Sequence, residues 1–119
     1  MNPKIRFIVS VVCNYRGVLP QQIKSPQQVR FIAYARQEIM YLAKRIADLS
    51  YPQIGDFLNR DHTTIMHGVR AVEKRMNACD EYRKEMDRLE KSAIYIMAEH
   101  QPKYKLWAFK SVRSGAAHA

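Results

Sequence analysis

Glycine and proline are scarce, four and five among 119 residues, and strand-like alternation of apolar and polar side chains is weak. So few breakers argue against a turn-rich sandwich or barrel and for helices. Cysteine is rarer still: Cys13 and Cys79 lie far apart, each in a helix-like apolar pattern. That rules out a disulfide framework and a paired-cysteine zinc ribbon, and leads us to expect two buried free thiols in a reducing compartment. No run approaches the about 18 uninterrupted apolar residues of a membrane span, and "IRFIVSVVC" lacks the flanks of a cleaved secretion signal. A soluble, cytoplasmic protein is the expectation. Acidic residues are in deficit, eleven against twenty Lys and Arg, giving a formal charge of +9 that favours anionic partners. The deficit is uneven: residues 1–79 carry 12 basic and 5 acidic side chains, residues 80–100 carry 4 and 6, and the last 19 carry 4 and none. At this length one domain with a single core is expected.

What is present is apolar residues at helical spacing. Ile5, Ile8, Val9 and Val12 form one stripe, which "NYRG" ends with Gly17 available for a left-handed cap. A short helical turn starts at Pro20. "SPQQ" then offers Ser25 as N-cap, Pro26 at the first helical position and Gln28 three residues on, a capping-box arrangement that predicts a long helix to about Leu49. Its inner face would include Ile32, Ala35, Ile39, Leu42 and Ile46. Ser50 with Gln53 repeats the arrangement and predicts a short helix from Pro52 to about Leu58. Asn59 and Arg60 form a tight turn, since asparagine tolerates the left-handed conformation such a turn needs. Asp61 is the next N-cap, and Ile65, Val69, Val72 and Met76 mark the inner side of the helix it opens. His62, Thr63, His67 and Arg70 are left on other faces. From Cys79 to His100 another helix is predicted, its stripe of Tyr82, Met86, Leu89, Ala93 and Ile96 either folding back or pairing with a second copy. The tail, residues 101–119, mixes Lys with Tyr, Trp and Phe and closes in small residues expected to be disordered.

A short helix, a tight turn and a second helix with polar residues crowded into its first turn make a helix-turn-helix, whose second helix enters a DNA major groove. Asp61 alone could be only a stabilising cap, but His62, Thr63 and Thr64 are poor helix formers gathered at an exposed end.

The stretch "ARQEIMYLAKRIADLSYPQIGDFLNRDHTTIMHGVRAVE", Ala35 to Glu73, closely resembles the C-terminal DNA-binding domain of the chromosomal replication initiator DnaA. That family's hallmarks are an A-R-Q-x-x-M-Y-L helix, S-x-P-x-I-G and R-D-H-[TS]-T-V-x-H. With a weaker likeness in the first helix, the resemblance covers residues 5 to 76. It implies an all-α helix-turn-helix domain over residues 1–78; the additional helix over 79–100, read from its apolar stripe, and the basic-aromatic tail over 101–119 have no part in the resemblance. It also implies recognition of short double-stranded DNA boxes at replication origins and some promoters, in a bacterium or a phage. By the same resemblance Asp61, His62 and Thr63 would meet base edges, while Arg36, Gln37, Lys44, Tyr51, Pro52, Thr64 and His67 would approach the DNA backbone. The family's basic run before the long helix, which enters the minor groove, is reduced here to "SPQQVR", leaving Arg30. No G-x-x-x-x-G-K-[ST] occurs among these residues, so nucleotide binding of the full initiator's kind is not expected of them.

Neither a metal nor a catalytic centre is expected. His62 and His67, five residues apart, lie about 140° apart around a helix. Cys79 and His67 would be about 18 Å apart along one, too far for a nucleophile and its base. No cofactor, no metal and no enzymatic activity are expected. Double-stranded DNA is the expected partner; replication proteins are candidates, an acidic membrane is disfavoured, and the oligomeric state is open. The rival expectation is an interaction protein that modulates the initiator or its loader through the C-terminal helix and binds DNA weakly.

Overall fold

A computed structural model describes residues 3–100. Those residues form six helices and no strand: α1 (Pro3–Arg16), α2 (Pro20–Lys24), α3 (Arg30–Ile46), α4 (Tyr51–Leu58), α5 (His62–Ala78) and α6 (Asp80–His100). The all-α fold is the one the composition predicts. Expectations for the tail fall on residues 101–119, outside the described residues.

Local signals account for most of the boundaries. Gly17, at φ 69°, turns the chain out of α1. Ser50 Oγ accepts from the Gln53 N–H while Gln53 Oε1 accepts from the Ser50 N–H, a complete capping box, and Pro52 sits in the first turn of α4. Asn59, at φ 57° and ψ 48°, supplies the left-handed residue that ends α4.

Three boundaries or faces differ from expectation. Ser25 does not open the long helix; it is the C-cap of α2, and α3 starts five residues later at Arg30. The reason is tertiary. The carbonyls of Ser25 and Gln27, which a helix from Pro26 would draw into its own ladder or leave pointing along its axis, instead accept from Arg36, and Ser25 also accepts from Arg60. At the other end α3 stops at Ile46, because Asp48 takes a left-handed φ of 55°. On α6, Met86, Leu89 and Ala93 are buried as expected, but Ile94 and Met97 replace Ile96, which is exposed. A straight helix drifts by about 20° per heptad against a strict seven-residue repeat, so the inner face rotates past Ile96.

The core is one cluster. Ile5, Ile8 and Val12 of α1, Ile32, Ile39 and Leu42 of α3, Ile54 and Leu58 of α4, and Ile65 and Val72 of α5 are all essentially inaccessible. Helix α6 folds back onto α1 and α5 and contributes its own stripe to the same cluster. A half-buried polar knot around the buried Glu38 fastens it there. Glu38 accepts both Nε and Nη2 of Arg16 at 2.8 and 2.7 Å and the Tyr82 hydroxyl at 2.7 Å; Arg16 also bonds Glu85 at 2.9 Å, and Tyr15 donates to Glu85 at 2.6 Å. Burial disfavours the Arg16 cation, but the hydrogen bonds and charges of Glu38 and Glu85 outweigh it and raise its pKa. At Glu85 burial works to raise the carboxyl, and the bonds from Tyr15 and Arg16 more than reverse it, so its pKa is lowered.

Cys13 is buried, and burial pushes its thiol pKa up. Cys79 corrects the expectation of two buried thiols: it is exposed. It is the extended C-cap of α5, at φ −145°, at the joint where α5 gives way to α6, and so belongs to neither apolar face.

Candidate nucleic-acid interface

Helices α4 and α5 are joined by three residues, Asn59 to Asp61, in a turn that admits no extra atoms on its inner side. A Cβ on Gly55 would lie 2.4 Å from the Arg60 carbonyl oxygen. The Arg60 N–H closes the turn by donating to the Gly55 carbonyl at 2.8 Å. Helix α5 then packs on α3 with the Met40 side chain filling the space over Gly68, since a Cβ there would fall 2.3 Å from Met40 Sδ. These two glycines set where the amino end of α5 projects.

At that end Asp61 occupies the N-cap position, with extended φ and ψ and its carbonyl accepting from the Ile65 N–H at 3.2 Å. Its carboxylate makes no capping bond. Instead Oδ1 lies 3.3 Å from Nδ1 of His62, and both side chains are about two-thirds exposed, at 65% and 63%. The carboxylate and imidazole therefore stand in solvent side by side, and the first-turn N–H groups are left to whatever approaches the helix end. Thr64 and His67 are exposed as well, and Thr63 is half-buried.

Beside this tip runs a cleft of about 380 Å³ between α3 and α5, whose lining includes Gln28, Arg36, Gln37, Arg60, Thr64 and His67. No carboxylate lines it. Two guanidinium groups converge here, because Arg36 and Arg60 both donate to the Ser25 carbonyl. Burial, and then the charge of Arg60, lower the pKa of Arg36. Two adjacent cations with no acid to neutralise them form a focus of positive potential for an anion.

Of the residues expected to approach a DNA backbone, the cleft brings Arg36, Gln37, Thr64 and His67 together. Lys44, Tyr51 and Pro52 form a separate group near the start of α4, where Lys44 Nζ stands 4.9 Å from the Tyr51 ring centroid. Pro52 is exposed there. Arg30 is exposed as the first residue of α3, not as part of an arm.

Arg36 departs most from expectation. It is only 5% exposed. Nε donates to the Ile23 carbonyl at 2.7 Å, and Nη2 reaches the carbonyls of Gln22, Ser25 and Gln27 at 3.1, 3.1 and 3.2 Å. Its first task is to clamp α2 and the following loop against α3, as a buried planar fork of donors can. Sequence reasoning passed over Arg60 and Gln28 as cleft residues. Arg60 had a readable signal, standing directly before the N-cap of the exposed helix; Gln28 had none, because its place depends on the loop that Arg36 holds open.

Among the described residues no three His, Cys, Asp or Glu side chains cluster so as to hold a metal ion, and no helix is long and apolar enough to cross a membrane.

The family described as the bacterial DnaA protein helix-turn-helix matches residues 5–72. Among curated proteins, the chromosomal replication initiator protein DnaA of Caldanaerobacter subterraneus subsp. tengcongensis is 31% identical over 87 residues, covering 73% of this chain. The proteins of the same name from Thermoanaerobacter sp. (strain X514) and Thermoanaerobacter pseudethanolicus match at the same identity and coverage. The chain spans about one-fifth (20%) of the length of these relatives.

Proposed function

The chain belongs to the bacterial DnaA helix-turn-helix family, and from that premise we propose that it binds duplex DNA sequence-specifically, with the amino end of α5 in the major groove. The observation that carries this reading is the pairing of an exposed helix end, Asp61 to Thr64, with an acid-free cleft where two arginines converge.

The parts divide by chemistry. Asp61 accepts a hydrogen bond from a cytosine amino group, His62 meets a purine edge, and the Thr63 methyl packs against a thymine methyl. Thr64, His67, Gln37 and Arg60 hold phosphates in and beside the cleft, while Lys44, Tyr51 and Pro52 hold the opposite flank. Arg36 supports that surface from beneath, and its cationic charge adds to the attraction without a direct contact. Arg30, fixed at the start of α3, reaches the adjacent minor groove as a single cation in place of a basic arm.

The protein acts in the cytoplasm at a replication-origin box or a promoter, by binding and without a catalytic step. The rival, an interaction protein working through α6, is the weaker reading because the apolar stripe of α6 is consumed by the core. Fluorescence anisotropy separates the two. An initiator-box duplex, a scrambled duplex and single-stranded DNA are titrated across a salt series. The box should bind about a thousandfold or more tighter than the scramble, within the usual margin for specific readers. Equal affinity for box and scramble at every salt concentration would reduce the interaction to charge attraction and defeat the proposal.

A further inference from the structure

Arg75 lies near the end of α5, more than three turns from the residues proposed to read bases, and lines not the phosphate cleft but a separate pocket of about 320 Å³ with Tyr34, Glu38 and Tyr82. Its guanidinium carbon stands 4.1 Å from the Tyr34 ring centroid and 5.5 Å from that of Tyr82, so α3 and α6 each offer it an aromatic face. Tyr82 is itself immobilised through its hydroxyl on Glu38. Arg75 Nε donates to the Ala71 carbonyl at 3.3 Å, and Nη1 is buried with no hydrogen-bond partner. A buried orphan donor is a cost, and a cation held there in spite of it calls for an explanation.

The remaining nitrogen supplies one. Arg75 Nη2 donates to Oε1 of Gln37. A guanidinium has donors only, so the glutamine oxygen must face it and the amide has a single permitted orientation. The amide nitrogen, with two donors, then points away from Arg75, and the cleft that Gln37 lines contains Arg60, Thr64 and His67 but not Arg75. Gln37 makes no other hydrogen bond among the described residues. An untethered surface glutamine would divide its time between presenting its oxygen and presenting its nitrogen, and only the nitrogen can bond a phosphate.

We propose that Arg75, braced between Tyr34 and Tyr82, is a positioning residue that holds the Gln37 amide with its N–H groups toward a DNA phosphate, and so ties helix α6 to the interface. The proposal rests on the DNA-binding reading above, and its test has one arm that does not.

In the first arm, the full chain, Arg75→Met, Gln37→Ala, the double variant and Arg75→Lys are titrated by anisotropy on the initiator-box duplex. Arg75→Met and Gln37→Ala should each bind about fivefold more weakly, the size of one well-made hydrogen bond. The double variant should be no weaker than Gln37→Ala alone, because both changes remove the same contact. Arg75→Lys keeps a donor and should recover part of the loss. The salt slope of Arg75→Met should equal that of the parent, since Arg75 neutralises no phosphate itself. In the second arm, without DNA, the Gln37 side-chain amide resonances are identified by their loss in Gln37→Ala. They should be shifted and distinct in the parent and in Arg75→Lys, and collapse to the position of solvent-exposed glutamines in Arg75→Met. Equal losses from Arg75→Met in the presence and absence of Gln37, or a lowered salt slope, would overturn the proposal. So would unchanged Gln37 resonances. If Arg75→Met does not fold, as judged by circular dichroism, Arg75→Leu, which likewise has no donor, takes its place in both arms with the same criteria. Failure of the parent to prefer box over scramble would sink the DNA reading, while the resonance arm still decides whether Arg75 fixes Gln37.

Discussion

Replacing Arg36 with methionine keeps the aliphatic stem and removes the fork of donors, which makes it a clean measure of what the clamp contributes. Four carbonyls lose a partner, but they do not lose equally. The Gln22 carbonyl still accepts from the Ser25 N–H and from Ser25 Oγ, and the Ser25 carbonyl still accepts from Arg60. That leaves the carbonyls of Ile23, a buried residue, and Gln27, an exposed one. An unsatisfied buried acceptor costs about 1 to 3 kcal/mol, and one that water can reach costs much less. Methionine would also relieve the burial of the charge. We therefore expect a loss of about 2 kcal/mol, a sizeable share of the roughly 5 to 15 kcal/mol that stabilises an ordinary domain. Urea unfolding followed by far-ultraviolet circular dichroism measures it, as a lower midpoint with an unchanged slope. Arg36→Lys should recover only part, because an ammonium group cannot reproduce the planar fork. A loss below about 0.5 kcal/mol, the range of ordinary surface substitutions, combined with a DNA salt slope lowered by one contact, would refute the clamp and return Arg36 to the phosphate-contacting residues.

Other expectations follow from the same surfaces. His62→Ala and Thr63→Ala should each cost about 1 to 3 kcal/mol on the box duplex and little on the scramble, whereas Lys44→Ala should weaken both and flatten the salt slope; anisotropy distinguishes the patterns, and an equal loss on both duplexes removes the residue concerned from the base-reading set. Gly68→Ala gains about 1 kcal/mol of helix propensity but drives a methyl to 2.3 Å from Met40 Sδ, an overpacking cost of about 1 to 3 kcal/mol, so a net loss is expected in urea unfolding. A more stable variant would mean that Met40 yields freely. The lowered pKa of Glu85 means that its contribution to stability is present above its unfolded value of about 4.3 and is lost as pH falls through the lower, folded value. Comparing melts at pH 7 with melts below pH 4, Glu85→Gln should narrow the acid-induced loss of stability relative to the parent; an identical loss in both would show that the carboxylate is not held as described.

What could be read in the chain was whatever its neighbours along the chain decide. Asn59 declares a left-handed turn, Ser50 and Gln53 declare a helix start, and the spacing of Ile65, Val69 and Val72 declares an inner face, all within a few residues. Ser25 and Gln28 display the same spacing as Ser50 and Gln53 yet do the opposite, because Arg36 and Arg60, 11 and 35 residues away, claim the carbonyl that decides the matter. The same distance hid the burial of Arg36, which the sequence presents as one more base on a helix. Cys79 was misplaced for a third reason: an apolar pattern runs straight through the joint between α5 and α6, and only the break in the helix turns that residue outward. At the candidate interface, the exposed first turn was legible and the cleft beside it was not, since its walls come from α3, the turn and α5 together.

The oxygen of Ser25 receives one arginine from the long helix and another from the turn before the exposed helix end. Residues 25 to 29 are thus moored at both ends of the reading surface and do not behave as a free strand that can be lengthened at will. Exchanging side chains there leaves the mooring intact, so basic residues grafted at Gln27 or Gln28 would be delivered in register with α5. Inserting even one residue would force that oxygen away from one of its two arginines, and a change made for one groove would be felt in the other.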